Sequence, residues 1–171
     1  MASSCPPGAQ RGLTTGERAL VRSVFGEAVD CSLVRIKRRK WFPLQPRNVV
    51  MAPWGHIHFH PLSPHYRDDF GTAALSCQGL FIHEMTHVWQ SQTRGWWYLP
   101  LCRNFSRRYD YRLVPGWPLE RYGIEQQAEI VRHAFLLRNG AKPTGAGDPA
   151  AYEALTRFPG AADRKQPPRL S

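Results

Sequence analysis

The stretch FIHEMTHVWQ, residues 81–90, sets two histidines and a glutamate inside an otherwise apolar run. No other feature constrains the chain as much. Residues four apart share one face of an α-helix. Wound as a helix, the segment aims the imidazoles of His83 and His87 at one point. Glu84 is then rotated by about 100° around the axis. An unpartnered polar group buried in such a helix costs about 1–3 kcal/mol. A metal ion removes that cost, because zinc accepts imidazole nitrogens at about 2.0–2.1 Å. Glu84 sits where it can reach a water on the metal without ligating the metal itself. That is what hydrolytic zinc chemistry needs: the ion acidifies the water and the carboxylate takes its proton. The competing reading is a helix whose histidines satisfy local hydrogen bonds.

One zinc ion of this kind requires a third protein ligand and one open position. YGIEQQAEIVRH, residues 122–133, offers Glu125 and Glu129, four apart on one helical face. Glu125 is the expected ligand. Glu129 is expected to accept the free ring N–H of a ligand histidine, and the reverse assignment stays open. His133 continues that face one turn on and is a reserve ligand. GHIHFH, residues 55–60, alternates strictly and places His56, His58 and His60 on one face of a strand. They are expected on an edge strand beside the substrate cleft, one that can hold an extended peptide through main-chain hydrogen bonds, with the three histidines lining the cleft or facing solvent. A second metal site there is the alternative. Tyr109, Tyr111 and Tyr122 lie near a loop that can cover the cleft, and packing is their expected role.

Composition narrows the rest. Hydrophobic residues make up 42% of the 171, enough to bury a core. No run of 18 apolar residues occurs, so no membrane span is expected. The first residues lack a basic start followed by an apolar block, which argues against a secretory signal. The expected location is therefore the cytoplasm, with export by a specialised machine left open. Cys5, Cys31, Cys77 and Cys102 form no CxxC, so four free thiols are expected rather than a four-cysteine zinc site. The net charge of +10 is densest in RIKRRK, Arg35 to Lys40, and continues at Arg103, Arg107, Arg108 and Arg112. Such clusters can bind nucleic acid or an acidic partner. No nucleic-acid-binding motif accompanies them, and a solvated basic face is the expected reading.

Along the chain, residues 1–12 read as disordered and 13–140 as one domain. Residues 141–171 read as a mostly flexible tail with a short helical stretch at 152–158. Thr14 and Glu17 form a capping box ahead of an amphipathic helix ending near Gly26. Strands are expected at 31–36, 48–52 and 55–60, the last two as a hairpin-like pair. Long helices are expected at 76–92 and 123–138, the second closed by Asn139–Gly140.

With HEMTH and EQQAE in place, the chain resembles the gluzincin branch of HExxH metallopeptidases. More narrowly, through LTTGERALVRSVFGEAVD, IHFHP, HEMTHVWQ and EQQAEIVRHAFLLR, it resembles small bacterial Vgr-related proteins. These have a zincin-like core related to domains found with contractile injection systems. The resemblance implies an α+β minimal zincin, with two core helices carrying the metal ligands against a small twisted sheet. It implies one zinc on His83, His87 and Glu125, Glu84 as general base, and Glu129 orienting His83. Glu129 stands where that family has Asp, and the extra methylene bears on this contact. The resemblance also implies peptide or protein substrates and an association with type VI secretion. A non-catalytic, zinc-stabilised module that binds a secretion-system partner is the rival function.

Overall fold

Thr14 starts α1 (Thr15–Phe25) as its side chain predicts. Its hydroxyl accepts from the Glu17 amide at 3.0 Å, and Glu17 accepts from the Thr14 amide at 2.9 Å. Glu17 is fully buried and does more than cap. Arg11 clamps it through two guanidinium nitrogens at 2.7 and 2.8 Å, and the Phe70 amide donates to it at 3.0 Å. This long-range pairing orders residues that the sequence reading leaves disordered. Gln10–Arg11 form strand β1, and Cys5 is buried in the core.

The computed structural model describes residues 4–95 and 109–161. Among these, the architecture is α+β, with four α-helices and one three-stranded sheet. β1 runs antiparallel to β2 (Ile36–Lys37), and β2 runs parallel to β3 (Ile57–His58). Met51 adds a single antiparallel bridge to His58 on the far side of β3, which is the hairpin-like contact expected there. Residues 31–33, within the stretch expected as strand, are instead a turn, and β pairing begins only at Arg35–Ile36. Asp30 accepts from the amide and hydroxyl of Ser32, and Arg35 donates to the carbonyls of Ser32 and Val34. Such local side-chain bonds compete with ladder pairing. Arg38 instead reaches distant parts of the chain, donating to the carbonyls of Pro61 and Cys5 and lying over the Tyr66 ring.

Ile36, Ile57 and Phe59 turn inward from the sheet, and Phe59, Phe70 and Phe81 stack at 5.6 and 5.0 Å between ring centres. That stack joins the sheet to α2 (Leu75–Arg94), whose residues from Phe81 to Ser91 are all buried. Helix α3 (Ile124–Arg138) packs along α2. Gly79 permits the close approach, since a Cβ there would lie 3.1 Å from Leu136 Cδ2. The region read as a mostly flexible tail with a short helix at 152–158 carries α4 (Pro149–Leu155), which starts three residues earlier. Asp148 caps it, Tyr152 anchors it against α3, and Arg138 pairs with Glu153 at 2.8 Å. Cys5, Cys31 and Cys77 are free thiols, while Cys102, Arg103, Arg107 and Arg108 lie outside the described residues. No helix among the described residues is long and apolar enough to cross a membrane.

Candidate metal centre

α2 carries His83, Glu84 and His87 on its buried side, and the first turns of α3 bring Glu125 and Glu129 against them. His87 Nε2 lies 3.1 Å from Glu125 Oε2, and His83 Nε2 lies 3.5 Å from the same oxygen. Two ligands bonded at 2.0–2.1 Å to a tetrahedral ion sit about 3.3–3.4 Å apart. The two observed separations bracket that value. One ligand atom from each of His83, His87 and Glu125 lies within 4.8 Å of the others, so the trio can hold a metal ion. Imidazole and carboxylate together suit a divalent ion of the zinc type.

Glu125 is thus the acid that faces both histidines, and Glu129 lies behind. Its Oε1 approaches His83 Nδ1 at 3.3 Å, without the alignment of a formal hydrogen bond. The longer glutamate therefore still reaches this ring. Arg132 and His133 hold Glu129 in turn, at 3.0 and 3.4 Å. His133 stands behind Glu129, outside the trio, and its Nδ1 pairs with the Tyr111 hydroxyl. Tyr111 also meets Tyr152 at 3.0 Å, while Tyr122 receives the Val114 amide at 2.8 Å. Tyr111 thus braces α3 and α4, Tyr122 ties down the loop ahead of α3, and Tyr109 lies over the His83 ring, 6.4 Å between centres.

The charges respond to this packing. Burial is the largest influence on His83 and pulls its pKa down, but Glu125 and Glu129 outweigh it and raise the value to about 9. Burial pushes Glu129 upward, yet His83 and Arg132 bring it down to about 2. Glu125 is likewise opposed by burial and held well below the usual carboxylate range by the two histidines. A site that draws positive charge this strongly is suited to a cation.

A cleft opens over the trio. Glu84 lines it together with His83, His87, Ile124 and Glu125, and Trp41 with Val50 to Pro53 forms the opposite wall. His56, His58 and His60 do not line it, because the segment around Met51 stands between β3 and the opening. Two residues with no role in the sequence reading, Gln90 and Gln127, sit buried behind His87. Gln90's place three residues after His87, on the same helix face, is the only signal that could have marked it.

No protein-family model matches the chain. It is 44% identical over 140 residues to the type VI secretion system spike protein VgrG2b of Pseudomonas aeruginosa PAO1. That alignment covers 77% of this chain but only 13% of the spike protein's length. Among solved structures, the effector domain of Pseudomonas aeruginosa VgrG2b matches with a TM-score of 0.68 and 39% identity, over 88% of this chain and 84% of that one. At this identity and mutual coverage, the chain belongs to the family of the VgrG2b effector domain.

Proposed function

We propose that the chain is a zinc-dependent hydrolase acting on peptide bonds, built as a minimal zincin and working as an effector module of a type VI secretion system. The observation that carries the chemistry is the convergence of His83, His87 and Glu125 at tetrahedral-edge spacing, with Glu84 on the same cleft. The secretion context rests on the likeness to the VgrG2b effector domain.

In this reading His83, His87 and Glu125 would hold one zinc ion, which would supply Lewis acidity to a water and to the scissile carbonyl. Glu84, one residue after the first ligand, takes the water's proton on its carboxylate and passes it to the leaving amine. Glu129 orients His83. The opposite wall favours a peptide. Met51 exchanges both backbone hydrogen bonds with His58, and Val50 and Ala52 on either side of it line the cleft. An extended substrate can pair along that wall.

A second reading keeps the zinc as a structural staple in a module that binds a secretion-system partner, and the family likeness favours this one, since it bears on secretion rather than on catalysis. Glu84→Gln separates the two. A hydrolase keeps its zinc and loses about 10²–10⁴-fold in peptide turnover. A staple leaves both metal content and partner binding unchanged.

A further inference from the structure

We propose that Gln90 and Gln127 form an amide clamp that fixes the ring tautomer of His87, making both of them positioning residues for the metal centre. The consequence for metal binding rests on the reading above, whereas the clamp itself follows from donors and acceptors alone.

Gln127 Nε2 donates to the backbone carbonyl of Tyr122 at 2.6 Å. A carbonyl only accepts, so the amide of Gln127 has one orientation and presents Oε1 to Gln90. Gln90 Nε2 donates to that oxygen at 2.9 Å and to the Ile124 carbonyl at 3.0 Å. Both amide protons of Gln90 are then used. The atom left facing His87 Nδ1, at 2.9 Å, is Gln90 Oε1, which can only accept. The ring proton therefore resides on Nδ1. In the neutral ring the lone pair falls on Nε2, the nitrogen turned toward Glu125. Reversing either amide would press an oxygen against a backbone carbonyl. Gln90 is fully buried and Gln127 is 1% exposed, so solvent offers no substitute partner.

Ile124, Glu125 and Gln127 belong to the first turn of α3. Docking of that turn against α2 thus supplies the third ligand and sets the tautomer of the second. The device differs from the one behind His83, where a carboxylate stands. Glu84, Glu125 and Glu129 already crowd the centre with negative charge, and an amide orients His87 without adding to it.

The test uses the full chain with Gln90→Met, Gln127→Met and the double variant, which roughly conserve volume. Long-range ¹H–¹⁵N NMR locates the His87 ring proton in metal-free and zinc-loaded protein. Competition with a chelator measures zinc affinity, and circular dichroism confirms folding. In the unsubstituted protein the clamp predicts a slowly exchanging proton on Nδ1, with or without zinc. Gln90→Met loses that protection and binds zinc about 10–100-fold more weakly. Gln127→Met shifts both readouts in the same direction, and the double variant is no worse than Gln90→Met alone. A bare Nδ1 in the unsubstituted protein overturns the proposal even if every variant fails to fold. So does unchanged zinc affinity in a folded Gln90→Met. A protected Nδ1 proton in a protein that takes up no zinc supports the clamp and overturns the metal reading instead.

Discussion

The chain sets two groups of histidines in opposite electrical surroundings. His83 and His87 sit on a helix among Glu84, Glu125 and Glu129, and the carboxylates lift His83 to about 9 against the pull of burial. His56 and His58 sit on and beside β3, next to Lys37 and Arg35. Burial and then Lys37 drive His58 down to about 4. Residues 31–67 contain seven Lys and Arg and no Asp or Glu, so nothing local offsets that field. The lesson is that imidazole spacing only supplies ligands. A cation is stabilised where carboxylates converge on those ligands, and it is repelled where cations flank them.

Removing a helix histidine is the strongest way to break the comparison. His83→Ala should take bound zinc from one equivalent per chain to none, by elemental analysis. His56→Ala should leave the metal content unchanged. Equal losses in the two variants would erase the distinction between the groups.

A smaller effect is expected behind the ligands. Glu129→Ala removes the carboxylate beside His83 Nδ1. Zinc affinity, read by chelator competition, should fall about 10–100-fold. Unchanged affinity would show that His83 needs no carboxylate behind it.

The smallest effects lie in the pH dependence of stability without metal, and there the two groups pull in opposite directions. His83 has a folded pKa raised to about 9 from 6.5, so it binds protons more tightly when folded. Its contribution is complete below pH 6.5 and is lost as pH rises through 9. His58 has a folded pKa lowered to about 4 from 6.5, so it prefers to be neutral when folded. Its contribution is complete above pH 6.5 and is lost as pH falls through 4. Each slope is worth on the order of 1–3 kcal/mol. Denaturant melts of the metal-free protein check both. His58→Leu should flatten the acid limb and His83→Leu the alkaline limb.

The helical half of the molecule was legible because its signals are local. Thr14 and Glu17 mark the start of α1, and the apolar period with His83 and His87 marks α2. Both long helices end within two residues of their expected bounds. The sheet was only partly legible: β3 and its Met51 contact fall where a strand pair is expected, but strands two residues long that pair with distant residues leave little local signal. β1 requires Arg11 to find Glu17 and residues 36–37 to find residues 10–11. The turn at 31–33 arises from Asp30 and Arg35 bonding to nearby backbone. Alternation placed His56, His58 and His60 on one face, but it carries no information about which strand edge meets the cleft. In α4, Asp148 followed by Pro149 is a recognisable helix start, and the Pro- and Gly-rich flanks obscured it.

The central claim is that one divalent ion is held by the helix histidines and Glu125, and none by the strand histidines. Anomalous X-ray scattering at the zinc edge, from crystals grown with zinc, tests it most directly. The account predicts one peak about 2.0–2.2 Å from nitrogens of His83 and His87 and from a Glu125 oxygen. A peak at His56 or His58 with none between α2 and α3, or no ordered zinc at all, would contradict it.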